Sequence, residues 1–576
     1  MSPVTLVDPR DIVLPSHDDD PVGAGAGYAF GGPVGRHARL GAHPFWTPLR
    51  VLLVFTFLTI GLAWAQKAAC RDPFSWTKEH QYTRLCYSDV TALYYAEGLN
   101  TGETPYVDHP VEYPVVIGGV MWLASGAARS LPYVSDSHEA EAFFDITAMI
   151  LAACLMLVVV LTAKTARRRP WDAAMVALAP AMVVHAYTNW DLLAAAAMAL
   201  AVHAWSRRWL VPAGIWIAVG TSTKLYPALM LAVLLPLCLR AGKLSAWAKT
   251  AAAAGLAFAV INLPIYLAAN SFRPTPQGRF AIDASGENAW SRFWVLNKQR
   301  PADWDSLWFM LQRNLVNATD GTQLFVKLLV GLTAIAAIGL MVWATLVMVG
   351  RTSDATRWLF VAMLLALALV AWRGGFASHG LTLMRRVFGH DAHTDFQFDP
   401  GNPVTPADLN AGVFWLTVAV LISVMALAWD APRRPRLPQL LFLAVAGFLL
   451  VNKVDSPQYV IWLIPLAVLA RPRWRPFLVW QFAELAVLVT RFYFFVGNDK
   501  PGQGIEYMGF GLAIVVRDIA LAVFMGLVVR DIYRPDLDVV RRDDVDDPAG
   551  GVLDGSVDQV ALGVQLAPAT GRPAYS

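Results

Sequence analysis

The sequence predicts an all-α, polytopic integral membrane protein, and three observations carry that expectation. Hydrophobic residues make up 56% of the 576 and charged residues only 15%, with a mean hydropathy of +0.46, more apolar surface than a water-soluble globule buries. Apolar runs close to span length recur along the chain between short polar turns. Arg and Lys fall in alternate turns, at 167–169, 207–208, 240–243, 351–357, 433–436, 471–475 and 530–534, the distribution of loops held in the cytoplasm. A formal net charge of only +3, without one basic patch, is too small to argue for nucleic acid, and no such partner is expected.

The elements follow in order. Residues 1–47, polar and Gly-rich with Asp18, Asp19 and Asp20, read as a disordered cytoplasmic arm. No cleavable leader is visible, so the first span, 48–66, is expected to stay as an anchor. A periplasmic loop, 67–141, comes next. Its apolar run from Val115 to Ala128 is laid on the outer surface, because a crossing there would turn all seven later basic clusters outward. Thirteen further spans are expected near 142–164, 172–187, 191–205, 209–222, 225–240, 246–268, 323–350, 356–372, 411–429, 438–451, 457–470, 475–496 and 508–529, about 14 in all. Two more external loops are 269–322 and 373–410. The membrane domain thus covers 48–530, and the acidic segment 531–576, without periodicity, reads as a disordered cytoplasmic tail.

The cysteines divide by place. Cys154 and Cys238 lie in apolar runs and behave as small hydrophobes. Cys70 and Cys86 share the first external loop, on the oxidising side, and a disulfide between them is expected.

Chemistry is expected in the segment from Cys86 to Pro114. Asp89 opens a short amphipathic helix that Asn100 and Gly102 end, a position where a carboxylate also serves as a plain helix cap. Lys224 and Lys453 stand in outer turns against the charge pattern. Each either neutralises an anion at the interface or snorkels to water, and Asp455 offers Lys453 an ion partner. Asp191, at the start of a span, is expected to cap its helix. In 269–322 five cations, Arg273, Arg279, Arg292, Lys298 and Arg300, are interleaved with Trp290, Trp294, Trp304 and Trp308. That mixture suits either a fold over a lipid phosphate and a sugar or an ordinary solvated loop. Glu484, Arg491, Arg517 and Asp518 lie inside the last two spans and are read as ion pairs between helices. His390, Asp391 and His393 have metal-compatible chemistry but no fourth ligand at a recognisable spacing, so no metal site is assigned to them.

One span, an external loop opening with an Asp on a helix, a Gly-rich turn, a Pro-Tyr and a Glu-Tyr-Pro: this order resembles the GT-C superfamily of membrane glycosyltransferases. More closely, Tyr87-Ser88-Asp89, Gly102 to Tyr106, Glu112-Tyr113-Pro114, Lys224-Leu225-Tyr226-Pro227 and Asn452-Lys453 with Ser456-Pro457-Gln458-Tyr459 resemble glycosyltransferase family 87. Its characterised members are polyprenol-phosphate-mannose-dependent mannosyltransferases of actinobacteria. The resemblance implies a multi-pass enzyme of the inner (plasma) membrane with its site toward the periplasm and both termini in the cytoplasm. It implies inverting transfer of a hexose, mannose first, from a polyprenyl-phosphate donor to a glycolipid or glycan acceptor, giving an α-linkage. Asp89 is then the catalytic base. Lys224 and Lys453 hold the lipid phosphate, and Glu112, His109, Tyr113, Asp191, Tyr226, Gln458 and Tyr459 complete the substrate-binding set. No cofactor is expected, although a divalent metal is left open. The alternative is a transporter or flippase of a lipid-linked saccharide. Against it stand the large external loop, the scarcity of acids midway along the spans and the lack of a visible internal repeat.

Overall fold

The computed structural model describes residues 20–31, 45–71, 80–131, 138–275, 279–316, scattered helical positions between 324 and 346, 354–388, 405–500, 502–542 and 545–559. His390, Asp391 and His393, most of the 1–47 arm and half of the 323–350 span lie outside the described residues.

The described chain is a helix bundle. Among the described residues, six helices are long and apolar enough to cross a membrane: Pro48–Cys70, Glu139–Thr165, Leu244–Ala268, Pro406–Asp430, Trp474–Asp499 and Tyr507–Tyr533. Shorter apolar helices pack among them, and Leu437–Val451 and Val460–Ala470 are buried along nearly their whole length. A helix enclosed by protein need not match the lipid thickness, which reconciles such lengths with a span of roughly 20 residues. The expected span at 172–187 is broken into Pro170–Ala173, Ala174–Ala177 and Pro180–His185. The break falls at Ala179, which is extended, as a residue ahead of a proline prefers to be.

The first span begins with Thr47 accepting from the Arg50 N–H and with Pro48 at its first position, a start that suits both residues. It ends at Lys67, whose Nζ donates to the Tyr87 carbonyl (2.8 Å). Cys70 and Cys86 form a disulfide across a sequence separation of 16, and Asp89 follows three residues later. Breaking this crosslink with Cys70→Ser is expected to cost roughly 3 kcal/mol, as closure of a loop of that length predicts. Mass spectrometry of the unreduced, alkylated protein checks the bond directly, since two alkylated thiols would contradict it.

Helix Val115–Arg129 is tied at both ends. Its Val116 N–H donates to the Ser222 carbonyl (3.0 Å), in the turn that carries Lys224. Its far end returns to the first loop, where the Arg129 guanidinium lies so close to Gly102 that a Cβ there would meet Nη1 at 2.1 Å. The next helix also starts at this end, with the Tyr94 hydroxyl donating to Glu139 (2.9 Å).

At the opposite end the basic turns are bound together. The Arg240 guanidinium donates to the Ala428 and Ala431 carbonyls (2.8 and 2.9 Å), and that of Arg436 donates to Leu469 and Ala470 (2.8 and 2.6 Å). The segment expected to be a disordered tail is a correction as far as Gln559, because it folds over these turns. Asp538 takes two hydrogen bonds from the buried Arg436 (2.7 and 3.1 Å). Trp205 Nε1 donates to the Gly550 carbonyl (2.8 Å), and Asp558 pairs with Arg240 (2.8 Å). The acidic composition that suggested a solvated tail supplies the counter-charges of the basic loops.

Residues 271–288, expected to be loop, hold a small antiparallel sheet. Its central strand Ser271–Pro274 pairs on one side with Phe280–Ile282 and on the other with Glu287–Asn288. Helix Arg292–Gln299 follows, and the Asn270 N–H ties the segment to the Tyr106 carbonyl of the first loop (3.1 Å). The ionic residues of the last two spans do pair. Arg517 meets Glu484 (3.9 Å), Asp518 (2.6 Å) and Asp455 of the 452–458 turn (2.8 Å). Arg491 reaches Asp305 (2.8 Å) of the 269–322 segment instead of a neighbouring helix.

Candidate active site

Ser88, not Asp89, caps helix Asp89–Ala96: its Oγ accepts from the Val90 N–H (3.2 Å) and donates to the Tyr187 carbonyl (2.7 Å). The Asp89 N–H donates to the Thr188 carbonyl (2.8 Å). The carboxylate of Asp89 is thereby released from capping. It accepts from Asn189 Nδ2 (2.7 Å) and from the Tyr87 hydroxyl, whose own ionisation the Asp89 charge and burial hold well above the phenol range. Asn189 Nδ2 also donates to the Tyr113 hydroxyl (2.7 Å), so one buried amide orients two residues of the first loop. Nothing in the sequence pointed to Asn189 beyond its place two residues before Asp191.

Asp191 is not a cap either. The cap position is Trp190, which makes no side-chain capping bond, and the fully buried Asp191 carboxylate accepts from Trp462 Nε1 (2.8 Å) and pairs with Lys224 Nζ (3.6 Å). Lys224 is 7% exposed, which rules out snorkelling. Its ammonium lies over the rings of Tyr113 (4.8 Å) and Tyr459 (5.6 Å), an aromatic cage that favours a cation. Trp462 is stacked between Tyr226 (4.5 Å) and Tyr459 (4.1 Å), fixing the wall beside that ammonium.

Glu112 joins this group through charge. Burial pushes its carboxyl above the ordinary range, while Arg300 and Lys224 pull the other way. Lys453 does not pair with Asp455, which belongs to Arg517. Its Nζ donates instead to the Arg300 carbonyl (2.6 Å), and burial, with Arg300 beside it, lowers its ammonium to about 8. His109 is turned away, between Glu103 (2.9 Å) and Glu97 (3.5 Å). Burial and the neighbouring Glu112 raise the Glu97 carboxyl to about 8.

These elements enclose a cavity of about 860 Å³ lined by Asp89, Glu112, Tyr113, Lys224, Tyr226, Lys453, Gln458 and Tyr459, together with Asn189 and Arg300. Eight residues singled out in the sequence thus share one wall system. Asp191 lies behind Lys224, and His109 does not line the cavity. The remaining wall is aromatic and aliphatic, with Phe293, Trp294, Phe376, Val413, Phe414 and Phe448. Among the described residues, no group of three or more His, Cys, Asp or Glu side chains is arranged to hold a metal ion.

The cavity thus joins the Asp89 carboxylate, held by Asn189 and Tyr87, to a caged cation and an apolar wall. No curated protein matches the chain. The family model described as glycosyltransferase family 87 matches residues 138–372, the stretch that supplies Asn189, Asp191, Lys224 and Arg300. Asp89 and Glu112 precede that match and Lys453, Gln458 and Tyr459 follow it, all in the same cavity. Over that stretch, within an all-α membrane bundle, the chain is similar to glycosyltransferase family 87.

Proposed function

We propose that the chain is an inverting glycosyltransferase that moves a hexose, mannose by the resemblance drawn above, from a polyprenyl-phosphate donor to a glycolipid or glycan acceptor at the periplasmic face. The observation that carries this reading is the shared cavity of Asp89, freed from capping and held by Asn189, and Lys224, caged by Tyr113 and Tyr459. The acceptor oxygen attacks the anomeric carbon as the bond from that carbon to the phosphate oxygen breaks. Asp89 takes the hydroxyl proton. The polyprenyl phosphate departs as a monoester whose added charge is met by Lys224 and Arg300. Attack opposite the leaving group turns a β-linked donor into an α-linked product. The apolar wall from Phe376 to Phe448 suits the donor's isoprenoid tail. The test is sugar transfer by purified protein from radiolabelled polyprenyl-phosphate-mannose. Transfer only from a nucleotide sugar would overturn the donor assignment.

Lys224→Met is expected to raise the KM for the lipid donor by about 10- to 100-fold, with a smaller change in kcat, as loss of a charged hydrogen bond to bound phosphate requires. The single variant also strands the buried Asp191. A Lys224→Met, Asp191→Asn double variant separates the effects: a donor KM restored to the wild-type value would reduce Lys224 to a partner of Asp191.

A further inference from the structure

Part of the cavity is not used by the groups above. His185 ends helix Pro180–His185, is 1% exposed, and lines the cavity. Neither of its ring nitrogens has a hydrogen-bond partner among the described residues. A buried imidazole left in that state is costly unless something binds it. The same cavity holds an aromatic cluster: the Tyr82 ring lies 6.5 Å from Tyr87, 5.8 Å from Phe492 and 5.4 Å from Phe495, and all four rings line the cavity. Arg491, also in this wall, is already paired with Asp305 (2.8 Å). The lobe ends at Asp89, because Tyr87 bonds its carboxylate and the Thr188 carbonyl, three residues after His185, holds its N–H.

We propose that this lobe is the acceptor subsite, that it takes a polyhydroxylated ring such as a pyranoside against the Tyr82 and Phe492 faces, and that His185 reads two neighbouring hydroxyls. A neutral imidazole offers one N–H donor and one acceptor nitrogen, which matches a pair of hydroxyls of which one accepts and one donates. Aromatic rings supply the apolar face that the C–H side of a sugar covers. This rests on the glycosyl-transfer reading, in which the attacking hydroxyl must reach Asp89.

The test uses purified full-length enzyme, polyprenyl-phosphate-mannose as donor, and octyl and methyl α-mannopyranosides as acceptors. His185→Leu is expected to raise the acceptor KM at least about tenfold while the donor KM stays within about twofold. His185→Gln, which keeps one donor and one acceptor, should recover most of the loss. A residue that only supports the fold would shift both KM values and would not be rescued. If His185→Leu is not recovered from membranes, Tyr82→Ala must show the same acceptor-selective loss. Use of the methyl pyranoside as well as the octyl one marks a free glycan acceptor, and use of the octyl one alone marks a glycolipid. Both support the subsite when they depend on His185. A photoreactive octyl pyranoside should also label peptides carrying Tyr82 or Phe492. Labelling there without transfer from the polyprenyl-phosphate donor would overturn the donor reading and keep the subsite. Transfer with an unchanged acceptor KM in the variants would overturn the subsite and keep the reading.

Discussion

Asp89→Asn is expected to lower kcat for sugar transfer by about 10²- to 10⁴-fold, the range for loss of a general base, while the protein still folds and reaches the membrane. The substitution keeps the shape of the side chain and an oxygen for Asn189 Nδ2, and the Tyr87 hydroxyl can still bond the amide. The cap is untouched, because Ser88 makes it. What disappears is the basic oxygen pair. A purely structural Asp89 would leave turnover near normal. Should the purified variant keep more than about a tenth of wild-type turnover, less than the low end of that range, Asp89 is not the base and Glu112 is the next carboxylate in the cavity.

Asp538→Ala is expected to cost about 3–5 kcal/mol of stability, as breaking one side of a buried ion pair does. Arg436 is 1% exposed and Asp538 3%, and Asp538 also accepts from Gln439 Nε2 (3.1 Å). Removing the carboxylate leaves the guanidinium with only the Leu469 and Ala470 carbonyls, and Gln439 without that acceptor. Replacing both partners together, Arg436→Met with Asp538→Leu, should cost much less, since no charge is then stranded. Thermal unfolding of the detergent-solubilised variants reads the difference. Equal stability of Asp538→Ala and wild type would mean that residues 535–559 do not clasp the basic turns.

By itself the sequence determined what depends on local composition and order. Apolar runs specified the helical bundle. Two cysteines in one external loop pointed to their own bond, and the order of short motifs singled out Asp89, Glu112, Lys224 and Lys453. Partnerships were decided only by the tertiary structure. Asp191 looked like a cap and is instead the counter-ion of Lys224; Asp455 looked like the partner of Lys453 and belongs to Arg517. His109 faces Glu97 and Glu103, while Asn189, from a turn 100 residues further on, holds Asp89. The acidic tail read as solvated because its composition does not show that Arg240 and Arg436 wait at the same end of the bundle. Hydropathy and helix signals report the environment that each residue favours, a local property. Which polar groups meet is fixed by how helices distant in sequence pack, and a buried charge takes whichever partner that packing brings within a few ångströms.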